Sequence, residues 1–223
     1  MKRTASVTVW MCLAWLGTVP VKASDAAKAQ WSKVEFSLQP RSQEVHPWTV
    51  RLDASGSGSY SEVGGGAEQP LNVSPATLER IAQGEHRVNS GRCETRQKNV
   101  ANTGEKTIRY ANGDKDAACT FNFSDDAALM QTVQVFLAIA ETVQAGERLQ
   151  HDLRYDRLAL DADMDGLLGS LKSGGAIEVE NIAPVLQALA NDDRVIDRVR
   201  RKAARLLQDA GAAPASSDRA SAR

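Results

Sequence analysis

Apolar and polar residues alternate along several short stretches of the first half of the chain. A period of two is typical of strands that bury one face and expose the other. The alternating stretches contain Val34, Phe36 and Leu38; Trp48, Val50 and Leu52; Ile108 and Tyr110; and Cys119, Phe121 and Phe123, while residues 60–63 can return as the partner strand of the second stretch. Asn112-Gly113 favours a tight hairpin turn between the last two stretches. We therefore expect about five mostly antiparallel strands, one of them over residues 92–98, and a short helix that begins at Pro75.

After residue 124 the period changes to three and four residues, which is typical of amphipathic helices. Ser124 is expected to cap the longest helix, with Asp125 and Asp126 in its first turn. Its apolar face comprises Leu129, Val133, Phe136, Leu137, Ala140 and Val143, and the period continues through Leu149, Leu153 and Leu158. Gly146 marks either a break in this helix or a close packing contact. Two more helices are predicted over residues 177–190 and 194–208, with Gly211 as the C-cap of the second.

Together these patterns predict an α+β fold. An antiparallel sheet in a β-rich region over residues 24–124 would be followed by a helical block over residues 125–211 that packs on it. The tail over residues 212–223 is rich in Ala and Ser and is expected to be disordered.

Residues 1–23 have the organisation of an export signal. Lys2 and Arg3 precede an apolar run over residues 7–19, and small residues at Val21 and Ala23 suit a signal peptidase. The run is shorter than the roughly 20 residues that span a bilayer, so cleavage after Ala23 is expected rather than a retained membrane anchor. The mature protein would then have no membrane span and would lie in the periplasm or outside the cell.

Export changes the charge of the chain. Removing Lys2, Arg3 and Lys22 from the 27 basic residues leaves 24 against 28 acidic ones, a net charge of −4. A mildly acidic protein is not expected to bind nucleic acid or an anionic membrane.

Two cysteines, Cys93 and Cys119, remain after export. An even number of cysteines in an oxidising compartment favours a disulfide, here across 26 residues of sequence and contributing about 3 kcal/mol. Two free thiols or half of a metal site are the alternatives. No Cys-x-x-Cys motif is present to support redox, zinc or haem chemistry, and we expect no cofactor.

The chain over residues 182–207 resembles a single HEAT repeat. The resemblance rests on Leu186 and Leu189 in a first helix, the Asp192-Asp193 turn, and Val199, Arg200, Ala203, Leu206 and Leu207 in a second helix. It implies a helical interaction surface rather than an active site. No second copy follows at a fixed period, and a plain antiparallel hairpin packed on the core explains the same residues.

The second helix of this hairpin carries a basic stripe. Arg194, Arg198, Arg201 and Arg205 are spaced by four, three and four residues and therefore share one helix face. Guanidinium groups bind oxyanions in a bidentate manner, so the stripe is a candidate surface for a protein partner. The alternative is an ordinary solvated helix face.

Two other groups of residues carry potential chemistry. Asp161, Asp163 and Asp165 followed by Gly166 match the first half of a calcium-binding loop, but Lys172 stands where the loop needs Glu. The acids also suit the first turn of a helix, and we expect no metal site.

Glu147, His151 and Tyr155 are each one helical turn from the next and can form either a general-base arrangement or a solvated face. The loop over residues 53–58 is rich in Gly but lacks the Lys and the helix of a phosphate site.

These observations favour an exported, non-catalytic binding or scaffold protein over an enzyme. The alternative is an exported hydrolase that uses carboxylates and His151. An enzyme should gather Glu147, His151 or the Asp161 cluster into one pocket.

Overall fold

The structure, a computed structural model, describes residues 31–42, 46–64, 67–91, 93 and 104–212 of the 223-residue chain. The predicted export signal, the predicted tail beyond residue 212, and all but Cys93 of the predicted strand over residues 92–98 lie outside this part. Within it, an antiparallel sheet is followed by a helical block. The predicted α+β fold is confirmed.

Six strands form one sheet in which every neighbouring pair is antiparallel. They are β1 (Lys33–Gln39), β2 (Trp48–Asp53), β3 (Ser57–Glu62), β4 (Gln69–Asn72), β5 (Glu105–Asn112) and β6 (Lys115–Phe121). Their spatial order is β4-β3-β2-β1-β5-β6, so β4 and β6 are the edge strands. The sequence pattern does not reveal β4, because it has four residues, of which only Leu71 is buried.

One face of the sheet is buried and the other faces solvent. Phe36 in β1 lies between Val50 in β2 and Ile108 in β5, and all three are fully buried. On the opposite face, Glu35 of β1 forms an ion pair of 2.8 Å with Arg51 of β2. The alternation read from the sequence therefore corresponds to a sheet with one apolar face.

Two short helices connect β4 to β5. Helix α1 (Pro75–Ala82) begins as predicted, and the N-cap Ser74 accepts a hydrogen bond from the Thr77 N–H at 3.3 Å. Helix α2 (Glu85–Asn89) is not evident from the sequence, because only Val88 of its five residues is buried.

The predicted cysteine pair is brought together beside β6. Cys93 follows α2, Cys119 lies in β6, and their Cα atoms are 5.9 Å apart. This separation is within the range of a disulfide, so the predicted pairing is confirmed at the level of distance.

Helix α3 (Ala127–Tyr155) has 29 residues. Its N-cap is Asp126, whose carboxylate accepts a hydrogen bond from the Leu129 N–H at 2.8 Å. The predicted cap at Ser124 was therefore wrong. Ser124 instead accepts a hydrogen bond from the Asp126 N–H at 3.2 Å and positions the residue that caps the helix.

Helix α3 contributes to two apolar clusters. In its first half, Phe136 stacks on Phe36 of the sheet with ring centroids 5.0 Å apart. In its second half, Leu149 belongs to a cluster formed with the helices that follow. A Cβ atom at Gly146 would overlap the side chain of Ile182, so this glycine is a close packing contact and not a break.

The helical block contains three further α-helices and a 3-10 helix. They are α4 (Leu160–Ser173), the 3-10 helix Val179–Ile182, α5 (Ala183–Asn191) and α6 (Asp197–Ala212). The single helix predicted over residues 177–190 is split, since Pro184 in the first turn of α5 has no N–H to continue a preceding helix. Gly211 lies inside α6, so the predicted C-cap at this residue was wrong.

A carboxylate joins the helical block to the sheet region. Glu178, before the 3-10 helix, has a left-handed backbone with φ of 57°. Its Oε1 accepts hydrogen bonds from the Ser74 N–H at 3.0 Å, the Ser74 hydroxyl at 2.7 Å and the Thr77 hydroxyl. The carboxylate thus lies at the N-terminus of α1, where the helix dipole favours negative charge.

Candidate functional site

All four arginines of the basic stripe are exposed on the helical block. Arg198, Arg201 and Arg205 lie on the outer face of α6, and the opposite face buries Val199, Ala203 and Leu206. Arg194 lies before the helix, because α6 begins at Asp197. The prediction that the helix itself carries Arg194 was therefore wrong.

Asp192 explains why Arg194 is not helical. Its carboxylate accepts hydrogen bonds of 2.9 Å from the backbone N–H and from the guanidinium of Arg194. A side chain that bonds the backbone two residues ahead forms an Asx turn, which competes with helix. The side-chain hydrogen bonds from Arg194 also lower the pKa of Asp192 to about 2.

Helix α4 supplies acidic partners for α6. Asp161 contacts Arg198 at 2.7 Å and Lys202 at 3.1 Å, and Asp165 contacts Lys202 at 2.6 Å. These are two acids of the half calcium motif, and both are paired with cations. Within the described residues, no group of three or more metal-ligating side chains is arranged to hold an ion.

The basic surface has more cations than acidic partners. Asp197 pairs with Arg200 at 3.2 Å and with Arg201, whereas Arg205 makes no ion pair within the described residues. Six cations lie at this surface, namely Arg194, Arg198, Arg200, Arg201, Lys202 and Arg205, and their ion-pair partners are Asp161, Asp165, Asp192 and Asp197.

Three large apolar side chains are exposed in the helical block. Leu158 is 93% exposed, Tyr155 is 74% exposed and Ile196 is about half exposed. Leu158 was expected to continue the helical period of α3. The helix ends at Tyr155, and Leu158 lies in the connection to α4.

Two ion pairs join the connections that carry Leu158 and Ile196. Arg157 contacts Asp192 at 3.7 Å, and Asp161 contacts Arg198 at 2.7 Å. The connection between α3 and α4 therefore lies beside the connection between α5 and α6. Leu158 falls between Arg157 and Asp161, and Ile196 falls between Asp192 and Arg198. This placement cannot be read from the sequence because it depends on contacts between residues 35 or more positions apart.

The predicted arrangement of Glu147, His151 and Tyr155 is divided between two environments. Glu147 accepts a hydrogen bond from Gln69 and lines a groove of about 390 Å³ between β4, α3 and α5. Partial burial, and then the charge of Glu62, raises the pKa of Glu147. His151 is exposed, lies beside Tyr155 with ring centroids 5.0 Å apart and does not line this groove. The hydrolase alternative therefore stays a prediction without a shared pocket to support it.

Asp163, the remaining acid of the half calcium motif, lies against Asp152 of α3. Asp152 is buried, and its Oδ2 has no hydrogen-bond donor in the described part of the chain. A hydrogen bond between the two carboxyl groups raises the pKa of Asp163, and burial and the charge of Asp152 raise it further. These two acids lie beside each other where α3 meets α4.

Comparison with known proteins adds no family to this description. No protein-family model matches the chain, and no curated protein shows significant sequence similarity to it.

None of the helices in the described part of the chain is both long enough and apolar enough to cross a bilayer.

Proposed function

We propose that the mature chain is an exported, non-catalytic binding or scaffold module whose interaction surface is the basic stripe of the helical block. The observation that carries this proposal is an asymmetry of exposure. The side chains of Arg194 and Arg198 are 68% and 64% exposed, whereas those of their partners Asp192 and Asp161 are 13% and 20% exposed. The pairs therefore present guanidinium groups to an approaching molecule, which suits recognition of carboxylates.

The export part of the proposal rests on the order of segments in residues 1–23 and on the cysteine pair. A protein that keeps Cys93 and Cys119 at disulfide distance suits an oxidising compartment. Intact-mass measurement of the protein recovered outside the cytoplasm tests this part. A mass that begins after Ala23 supports export with cleavage, and a mass that retains the first residues opposes it.

The binding part is tested with the triple variant Arg198→Ala, Arg201→Ala and Arg205→Ala. The mature protein is immobilised, and the envelope proteins it retains are quantified by mass spectrometry. We expect at least one protein retained by the natural sequence to be lost with the triple variant, which should fold normally because the three side chains are exposed.

A matched control is available on other surfaces. Arg51, Arg109 and Arg148 are also about half exposed, and each lies in an exposed ion pair. Replacement of these three by Ala removes the same charge and should leave retention unchanged. Equal retention by the stripe variant and the natural sequence would contradict the proposal.

A further inference from the structure

A groove follows α3 where this helix meets β4 and α5. Glu147 lines its larger part, of about 390 Å³, and Arg154 lines a smaller part of about 180 Å³ further along the helix. Both parts are lined by Gln150, Pro184 and Val185, so they adjoin each other, and we call them together the α3 groove. The described residues that line it include no arginine of the basic stripe. It is therefore a second candidate surface, beyond the proposed function.

The walls of the α3 groove are mostly apolar. It is lined by Pro70 of β4, Val143 and Leu153 of α3, and Pro184 and Val185 of α5. Ligand sites in proteins are typically clefts of roughly 300–1,000 Å³ with apolar walls and a few polar groups that fix the orientation of the ligand. The polar groups of this groove therefore indicate which ligand it suits.

One end of the α3 groove carries a carboxylate without a cation. The Oε1 atom of Glu147 accepts a hydrogen bond from the side-chain amide of Gln69, and Glu147 forms no ion pair within the described residues. Its neighbour Arg148 instead contacts Glu141 at 2.9 Å. A positively charged group in the groove would thus meet an unpaired carboxylate, and hydrogen bonds between such groups are strong.

A second carboxylate adds to the negative charge at this end. Glu62 of β3 accepts hydrogen bonds from the Tyr60 hydroxyl at 2.6 Å and from the Gln144 amide at 3.4 Å. Gln144 precedes Glu147 by three positions and lies on the same side of α3. Partial burial, and then the charge of Glu62, raises the pKa of Glu147, so a cation bound at this end would stabilise the charged form of its carboxylate.

The other end of the α3 groove carries a cation without a carboxylate. Arg154 follows Glu147 by seven residues, which is two turns along the same side of α3, and it makes no ion pair in the described part of the chain. At 1.5 Å per residue the two positions are roughly 10 Å apart along the helix axis. The amide-bearing side chain of Gln150 lies between them.

We propose that the α3 groove binds a short apolar peptide with free termini, about three residues long. The amino group of the peptide pairs with Glu147, its carboxylate pairs with Arg154, and its side chains lie against the apolar walls. An extended peptide of three residues spans roughly 10 Å, which matches the separation of the two charged ends. Gln150 is placed to form hydrogen bonds with the peptide backbone.

The charges of the groove disfavour simpler occupants. An amphiphilic amine would leave Arg154 without a partner, and a fatty acid would leave Glu147 without one. An internal segment of a longer chain has no terminal charge for either end. Charge complementarity at both ends therefore favours the free peptide.

The peptide is tested by isothermal titration calorimetry with the mature protein. The probe is the tripeptide Leu-Ala-Leu with free termini, and its two companions are the N-acetylated and the C-amidated forms. Each block removes one charge-assisted pair, so each should weaken binding by about tenfold.

Two variants assign the ends of the peptide. Glu147→Gln keeps the size of the side chain and an acceptor for Gln69, and Arg154→Gln removes the guanidinium group. Each should weaken binding of the free tripeptide by about tenfold. Glu147→Gln should leave binding of the N-acetylated form unchanged, and Arg154→Gln should leave binding of the C-amidated form unchanged, because the lost partner is already absent.

The matched controls are Glu35→Gln and Arg205→Gln. Glu35 is a partly buried carboxylate on the opposite face of the sheet, Arg205 is an exposed arginine of α6, and neither lines the α3 groove. Both controls should bind the free tripeptide like the natural protein. Thermal unfolding establishes that the variants fold, and if Glu147→Gln does not, the three peptides on the natural protein still decide the question.

Three results would overturn the inference. The first is no binding of the free tripeptide at millimolar concentration, or equal binding of its free and blocked forms. The second is binding of the free tripeptide that neither Glu147→Gln nor Arg154→Gln weakens. The third is tighter binding of dodecylamine than of the tripeptide, lost in Glu147→Gln and kept in Arg154→Gln. None of these results bears on the basic stripe, so the proposed function is tested separately.

Discussion

The side-chain amide of Asn181 pairs with both backbone hydrogen-bonding groups of Asn72. Its Oδ1 accepts from the Asn72 N–H at 2.8 Å, and its Nδ2 donates to the Asn72 carbonyl at 3.0 Å. A neighbouring strand would make the same two bonds, so Asn181 satisfies one position of the edge strand β4. Together with Glu178, it fixes the 3-10 helix of the helical block to the sheet.

Asn181→Asp should destabilise the protein, because the change keeps the size of the side chain but replaces the donor to the Asn72 carbonyl by an acceptor. We expect the free energy of unfolding to fall by about 1–3 kcal/mol, as measured by urea denaturation. Asn112→Asp is the control, since Asn112 is the exposed last residue of β5; the hairpin turn itself is formed by Gly113 and Asp114, one residue later than the sequence predicted. Equal stability of Asn181→Asp and the natural protein would show that the hydrogen bonds between Asn181 and Asn72 contribute nothing to the free energy of unfolding.

The contact between Gly146 and Ile182 predicts opposite effects for two Gly→Ala changes in helices. Gly146→Ala places a Cβ atom on Ile182 and should destabilise the protein by about 1–3 kcal/mol through overpacking. Gly169 in α4 has open space around it, so Gly169→Ala should stabilise by about 0.5–1 kcal/mol through the better helix propensity of Ala. Thermal unfolding of the two variants measures both effects. Stabilisation by Gly146→Ala would contradict the packing described here.

The features that could be predicted from the sequence are those that depend on the spacing of apolar residues within a single helix or strand. Phe36 and Val50 alternate with polar neighbours, and Leu129 and Val133 recur at helical spacing, because each pattern reflects burial on one side of a single element. The short elements β4 and α2 escaped detection because neither has enough buried residues to establish a period. The choice between Ser124 and Asp126 as helix cap could not be made from residue type, since both side chains can cap.

The candidate site was visible only in part. The spacing of Arg198, Arg201 and Arg205 on one helix face is a local property and follows from the sequence. Leu158 was misplaced because its five-residue spacing from Leu153 departs from the helical period, and α3 ends at Tyr155 within that gap. The pairing of Asp161 with Arg198 joins separate helices, and no pattern along the chain specifies it.

The contact between Asp152 and Asp163 predicts a pH dependence of stability. The pKa of Asp163 is raised above its ordinary value of 3.8, so the folded protein binds more protons than the unfolded chain between the two pKa values. Stability therefore falls as the pH rises through this window and stays lower above it. At neutral pH, Asp163→Asn should raise the free energy of unfolding by about 0.5–1 kcal/mol, since the amide can donate a hydrogen bond to Asp152 and carries no charge.

The difference in the free energy of unfolding between Asp163→Asn and the natural protein should disappear at a pH below 3.8, the ordinary pKa of Asp. Urea denaturation over a series of pH values measures it. Asp209→Asn, at an exposed position of α6, is the control for loss of a carboxylate elsewhere. A gain in stability from Asp163→Asn that is the same at every pH would refute the raised pKa of Asp163 as its cause. Arg148 and Asp156 also act on Asp163, in opposite directions, and remain in place in this comparison.

Reduction of the Cys93–Cys119 pair should destabilise the protein by about 3 kcal/mol. The bond connects residues 26 positions apart, and closing a loop of this length restricts the unfolded chain. It also joins the segment after α2 to β6, an edge strand that pairs only with β5 within the described residues. We expect the urea midpoint of the oxidised protein to fall on addition of a reducing agent. The double variant Cys93→Ser and Cys119→Ser should unfold at the lower midpoint and should not respond to the reductant.

If the oxidised protein has two thiols that react without prior reduction, the bond is absent in solution and the predicted stabilisation fails with it. If the bond is present but its reduction leaves the midpoint unchanged, the packing of Val88 and Phe121 beside it is sufficient to hold α2 on the sheet.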